Sequence, residues 1–165
     1  MEIREIQPDE HADLAALTIA AYAAIGADLD DEYRTELADV AGRARDAVVL
    51  VAVDDDGTLV GGVTYVPDAD NPLSEHTDAH AASIRMLAVS PDAHRRGIGR
   101  RLTEACTARA ASEGRESVVL HTIDTNRPAV DFYESIGFER APELDWQPTE
   151  ALRLLGLRIE VAFAG

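Results

Sequence analysis

The sequence predicts an α/β domain with a mixed β-sheet flanked by helices. Three observations carry that expectation. Some segments repeat apolar residues at helical spacing, whereas others alternate or run continuously apolar. The two kinds interleave along the whole chain. A hairpin signal, Asp54-Asp55-Asp56-Gly57, lies near the middle and joins antiparallel neighbours, so the sheet is mixed rather than fully parallel. A length of 165 residues fits one core, and no repeat or linker interrupts it, so residues 1–165 read as a single domain.

Glu2 to Ile6 alternates as a first strand. Pro8 suits the first turn of a helix, with Asp9 and Glu10 favourable to its dipole. Leu14, Leu17, Ala21 and Ile25 give that helix an apolar face, and Gly26 stops it. Asp30 to Asp46 reads as a second helix, with Tyr33, Leu37 and Val40 on one face. Strands follow at Ala47–Val53 and Thr58–Val66, then a polar loop from Pro67 to His80 and a strand at Ser83–Val89. A helix runs from Leu102 to about Glu113 and is capped by Gly114, and Glu116–Ile123 is the next strand. Asn126–Ile136 is a short helix ended by Gly137, a strand begins at Phe138, and Ala151–Phe163 closes the chain as a long strand.

Composition narrows the function. The formal net charge is -16, which argues against a nucleic-acid partner because that needs a basic face. The acid excess reads as solubility or adaptation to high salt, with cationic substrates as the alternative. No apolar run approaches a membrane span, and Met1-Glu2-Ile3-Arg4-Glu5 has no apolar signal core, so no membrane partner and a cytoplasmic location are expected. The single cysteine, Cys106, excludes an internal disulfide and a cysteine metal cage, and no metal is expected. Cys106 sits at helical spacing from Leu102 as a small buried hydrophobe. All 15 basic residues are arginine, which removes lysine nucleophiles and the Walker phosphate lysine.

Against that acidity, His94-Arg95-Arg96-Gly97-Ile98-Gly99-Arg100-Arg101 reverses the sign locally, between a strand and a helix. Glycines let backbone amides approach an oxygen, a helix start leaves N–H groups unpaired, and arginines add charge-assisted bonds. The turn therefore reads as an anion cradle for a pyrophosphate, or as a helix start with exposed arginines. The dinucleotide fingerprint fails for lack of a third glycine, and a nucleotide switch fails with it.

Two stretches carry a resemblance. Ile84-Arg85-Met86-Leu87-Ala88-Val89-Ser90-Pro91-Asp92-Ala93-His94-Arg95-Arg96-Gly97-Ile98-Gly99 resembles the acetyl-CoA motif of the GNAT N-acetyltransferase superfamily. Asn126-Arg127-Pro128-Ala129-Val130-Asp131-Phe132-Tyr133-Glu134-Ser135-Ile136-Gly137-Phe138 is similar to its later Asn-x-x-Ala-x-x-Phe-Tyr signature. The element order agrees from Glu2 to Phe163. The resemblance implies a GNAT-type fold whose sheet is splayed between the strands at 83–89 and 116–123, with acetyl-CoA as cosubstrate. His94 stands where the family has Arg or Gln. The expected acetyl-CoA contacts are Leu87, Ala88 and Val89 for the pantetheine arm, His94, Arg95, Arg96, Gly97, Ile98, Gly99 and Arg100 for the pyrophosphate, and Asn126 and Tyr133 nearby. Asn126 also suits a helix cap.

Phe132 and Phe138 read as core, and Tyr133, following Phe132 on the helix, points elsewhere. The resemblance places its hydroxyl near the CoA sulfur as proton donor to the leaving thiolate, a role a phenol can fill. The alternative is a tyrosine packed at a helix edge. The base is less defined, because the family's glutamate position falls among Ala81, Ala82 and Ser83. His121 on the next strand is a candidate catalytic base, its alternative being a hydrogen-bonded sheet histidine, with Glu75, His76, Asp78 and His80 as other candidates, or no side-chain base. Trp146 reads as a packed residue, with a wall of an acceptor pocket as the alternative. The expected activity is direct acetyl transfer to a small-molecule or peptide amine. The alternatives are a non-catalytic acyl-CoA sensor or a transferase using another acyl-CoA. The resemblance implies that the first two helices and the loop before Ser83 shape the acceptor pocket, and homodimers are common in that family.

Overall fold

A computed structural model describes residues 1–161. Strand β1 (Glu2–Glu5) leads through a 3-10 turn at Pro8–Glu10 into helix α1 (His11–Ala24). The expected second helix is two helices, α2 (Asp31–Ala38) and α3 (Val40–Asp46). Asp39 breaks them because its carboxylate caps α3, accepting from the Gly42 N–H at 3.0 Å. Asp30 caps α2 in the same way, accepting from the Tyr33 N–H at 2.7 Å.

Strands β2 (Val48–Val53), β3 (Leu59–Val66) and β4 (Ala81–Val89) then form an antiparallel run with β1. Helix α4 (Ile98–Ser112) crosses to β5 (Ser117–Ile123), and α5 (Arg127–Ser135) follows. The chain closes with β6 (Glu139–Arg140), a 3-10 turn at Pro142–Leu144, β7 (Trp146–Thr149) and β8 (Leu152–Glu160). The expected closing strand reached Phe163, which lies outside the described residues. Strand β7 was not foreseen, and Trp146 on it is 45% exposed rather than packed.

Among the described residues the sheet order is β1-β2-β3-β4-β5-β8-β6, with β7 also on β8. The sheet is mixed, as expected, because β4 and β5 alone run parallel. Its core is divided. Leu14, Val40, Val49, Val51 and Val53 pack beneath α1 and α3. The larger cluster packs beneath α4 and α5, with Tyr65, Ile84, Ile98, Leu102, Cys106, Val118, Leu120, Tyr133 and Phe138. Ile25, expected on the apolar face of α1, is 58% exposed one residue past the helix end.

The sheet is also splayed. Parallel pairing joins Ala81–Ser83 to Ser117–Val119 and stops. Beyond it β4 stays on β3 through Val89, and β5 stays on β8 through Ile123. A β-bulge drives the parting: Met86 and Leu87 lie opposite Val63 alone, and Met86 has φ 54°. An extra residue bends and twists its strand. The facing edges of β4 and β5 are left unpaired in a wedge, where backbone N–H and C=O groups await partners.

Candidate active site

The wedge is bounded at one end by the turn before α4. Gly97 is the residue preceding the helix, with φ 73° and ψ 18°, a left-handed conformation that costs a side chain about 1–2 kcal/mol. No side chain caps α4. The first i→i−4 bond runs from the Arg101 N–H to the Gly97 carbonyl, so the N–H groups of Ile98, Gly99 and Arg100 precede the helical ladder. Oriented amides and the positive helix end make this concavity suited to an anion.

The expected contacts divide by side chain. His94 and Arg95 are exposed and, among the described residues, have no acidic partner. Arg95 itself has φ 68°. Arg96 instead forms a two-pronged pair with Asp54 at 3.0 and 2.5 Å, tying the turn to the β2–β3 hairpin. That pair holds the Asp54 carboxyl below its ordinary range. Arg100 pairs with Glu104 at 2.8 Å. Ile98 is buried in the core, so only its backbone faces the turn.

The wedge wall is apolar. A Cβ at Gly99 would lie 3.3 Å from Phe132 Cζ, 3.6 Å from Val89 Cγ2 and 3.8 Å from Leu87 Cδ2. This converges the start of α4, the splayed part of β4 and α5 on one spot. Phe132, expected in the core, is half-buried here. Tyr133 is the buried one, held edge-on between Phe132 and Phe138 at centroid distances of 5.0 and 5.4 Å. Burial pushes its phenol above the ordinary range, so it is protonated at neutral pH. Asn126 caps α5, its side-chain oxygen accepting from the Ala129 N–H at 3.3 Å. Cys106 is buried on α4 and its thiol is pushed up to about 12 by burial, which removes it as a nucleophile at neutral pH.

The other sheet face holds the remaining candidates. Val118 and Leu120 point beneath α4 and α5, so alternation turns Val119 and His121 away from Tyr133. His121 lies two residues past the last β4–β5 pair, half-buried, with Nε2 2.8 Å from the Leu144 carbonyl. His76 is buried; its Nδ1 accepts from the Asp78 N–H at 3.1 Å, and burial lowers its basicity. Ser83, at the apex of the wedge, is buried with its hydroxyl unpartnered among the described residues. Glu75 is engaged by Arg85 at 2.8 Å, and Arg85 also reaches Glu36 at 3.2 Å. His80 and Asp78 form a turn, with the His80 N–H on Asp78 at 2.9 Å. Tyr22 and Tyr33 stack edge-on at 6.0 Å over this face.

Three features escaped the sequence reading. The bulge at Met86 has no sequence signal, because methionine is not a left-handed residue by preference. The Arg85 pairs with Glu36 and Glu75 are long-range. Gly156, inside β8 and opposite His121, did carry a signal: glycine within a strand marks close backbone approach.

Known proteins agree with this architecture. Residues 9–138 match the acetyltransferase (GNAT) family. A mycothiol acetyltransferase of Thermobispora bispora is 34% identical over 84 residues, 51% of this chain and 28% of that protein, so the chain spans well under half the length of that relative. An acetyltransferase of the GNAT family from Staphylococcus aureus superposes with a TM-score of 0.77 at 14% identity, covering 98% of this chain and 99% of the other. A ribosomal-protein-alanine N-acetyltransferase from Brucella melitensis gives 0.65 at 24% identity, over 98% and 100%. Among the described residues no helix is long and apolar enough to cross a membrane. The chain belongs to the acetyltransferase (GNAT) family, whose acetyl donor is acetyl-CoA.

Proposed function

We propose that this chain transfers an acetyl group from acetyl-CoA to the amine of a small molecule or peptide, by direct attack without a covalent enzyme intermediate. The observation that carries the reading is the wedge: unpaired strand edges open onto the uncapped, glycine-led start of α4. That pairing suits a ligand with an amide-bearing arm and an anionic end. Acetyl-CoA supplies the activated thioester. His94, Arg95 and the N–H groups of Ile98, Gly99 and Arg100 take its pyrophosphate, with Gly97 setting the turn. Arg96 holds that turn through Asp54 rather than meeting the ligand. Leu87, Ala88 and Val89 offer backbone groups to the pantetheine arm, and Asn126 closes it from the α5 side.

The sheet separates the two proton transfers. His121 faces the side covered by α1, α2 and the Pro67–His80 loop, where an amine enters. It takes the amine proton as the N–C bond forms. Tyr133 faces the α4–α5 side and donates its proton to sulfur as the C–S bond breaks. The buried Cys106 fits direct transfer.

Acetyl-CoA at a hundredfold excess over its dissociation constant adds about 2.7 kcal/mol, which raises the melting temperature by about 5–10 °C. Thiol release across a panel of amines, amino acids, polyamines and peptides identifies the acceptor. No stabilisation at millimolar acetyl-CoA would overturn the donor assignment, and stabilisation without thiol release would turn the reading to a sensor.

A further inference from the structure

The Leu144 carbonyl can only accept, so His121 carries its hydrogen on Nε2 and leaves a lone pair on Nδ1. That arrangement depends on the 3-10 turn Pro142–Leu144 lying directly on β8. A Cβ at Gly156 would clash with the Leu144 side chain and stand 2.9 Å from the Ala141 carbonyl oxygen. Only glycine lets the turn settle there. Further bonds pin it. The Gly156 N–H donates to Asp145 Oδ1 at 2.7 Å, and the Ala141 N–H donates to the Gly156 carbonyl at 2.9 Å. Arg140 grips both Asp145 oxygens at 3.0 and 2.8 Å and also donates to the Gly156 carbonyl. Asp145 is 14% exposed and Arg140 30%.

We infer that Gly156, Asp145 and Arg140 form a positioning clamp that presents the Leu144 carbonyl to His121, fixing the imidazole with Nδ1 open as the proton acceptor. The inference rests on the acetyl-transfer reading with His121 as base. The amine N–H proton passes to Nδ1 while nitrogen bonds to the acetyl carbon and the C–S electrons leave on sulfur. The imidazolium keeps its bond to Leu144 and returns its proton to solvent. His76 is fixed in the same tautomer but with the opposite nitrogen free: Nδ1 is occupied by the Asp78 N–H, and protonation there would break that bond. It remains a neutral neighbour. Among the described residues, the charged and titratable groups around the two rings are Asp68 and Asp78 on the loop, Arg158 on β8 with its partner Glu143 beside Leu144, Asp145 beyond Leu144, and Arg85 on the same face of β4 with its partner Glu75.

The test is the 15N spectrum of the His121 ring together with the pH profile of kcat, in the full chain and in Gly156→Ala and Asp145→Ala. The wild type is expected to show one Nε2–H tautomer. Both variants are expected to mix tautomers and lose about tenfold in kcat, with KM for acetyl-CoA unchanged and the acid limb of the profile displaced. An Nδ1–H ring in the wild type overturns the clamp, as do folded variants that keep the wild-type kcat and profile. If Gly156→Ala does not fold, the wild-type spectrum and Asp145→Ala decide. His121→Gln separates the two claims, because its amide can still donate to Leu144 but cannot take a proton. A wild-type acid limb in that variant removes His121 as base. The tautomer spectrum, needing no turnover, still reports on the clamp.

Discussion

The two faces of the wedge are built in different ways. The donor face is local: the turn, the start of α4 and α5 come from two short stretches, and their chemistry is mostly backbone N–H groups, glycine and one phenol. The face proposed to receive the amine is assembled from distance. His121 meets Leu144 across 23 residues, Arg85 meets Glu36 across 49, and Tyr22 stacks on Tyr33 from another helix. A cosubstrate that does not vary suits a site fixed by local sequence.

Variants that remove one face's proton chemistry break this comparison most directly. Tyr133→Phe is expected to lower kcat about a hundredfold while leaving KM for acetyl-CoA within twofold, since a positioned acid contributes about 10²–10⁴. Unchanged turnover in steady-state assays would remove the phenol from the chemistry. On the same face, Arg95→Ala is expected to raise the acetyl-CoA dissociation constant about tenfold, in a salt-dependent manner, whereas Arg96→Ala acts through the turn and raises it less. Titration calorimetry at two ionic strengths distinguishes them, and equal effects would contradict the separation of Arg96 from the ligand. Gly97→Ala is expected to cost about 1 kcal/mol of stability through its left-handed φ, read by chemical denaturation.

Most of the fold was legible because its signals are local. Gly26, Gly114 and Gly137 stop helices with φ of 78°, 77° and 106°, and the Asp54–Gly57 turn joins antiparallel strands. Failures came where tertiary contacts overrule periodicity. Asp39 broke a continuous helical pattern because a carboxylate one turn from Gly42 makes a better cap than a helix interior. Phe132 and Tyr133 are adjacent on one helix, and only tertiary packing shows that Phe132 approaches Gly99 while Tyr133 lies between Phe132 and Phe138. The candidate donor site was legible for the same reason as the helix stops. The acceptor face was not, because Gly156 in a strand signals a close approach without naming what approaches.

The smallest expected effect concerns the clamp's own charge. Arg140, the Gly156 N–H and Arg153 hold the Asp145 carboxyl at about 2, below its ordinary 3.8. A depressed carboxylate stabilises the fold above its unfolded value, and that contribution fades as pH falls from about 4 towards 2. Asp145→Ala is therefore expected to flatten the acid limb of the stability curve, measured by urea denaturation between pH 5 and 3 on the scale of those ordinary carboxylate values. An unchanged slope would mean that the ion pair does not hold in solution.

Acetyl-CoA affinity in His121→Gln tests the division of labour between the faces most directly. Calorimetry on the wild type and this variant is expected to give the same dissociation constant, while acetyl transfer by the variant falls about a hundredfold. Loss of acetyl-CoA binding together with activity would contradict the account, because the donor face would then depend on the face opposite it.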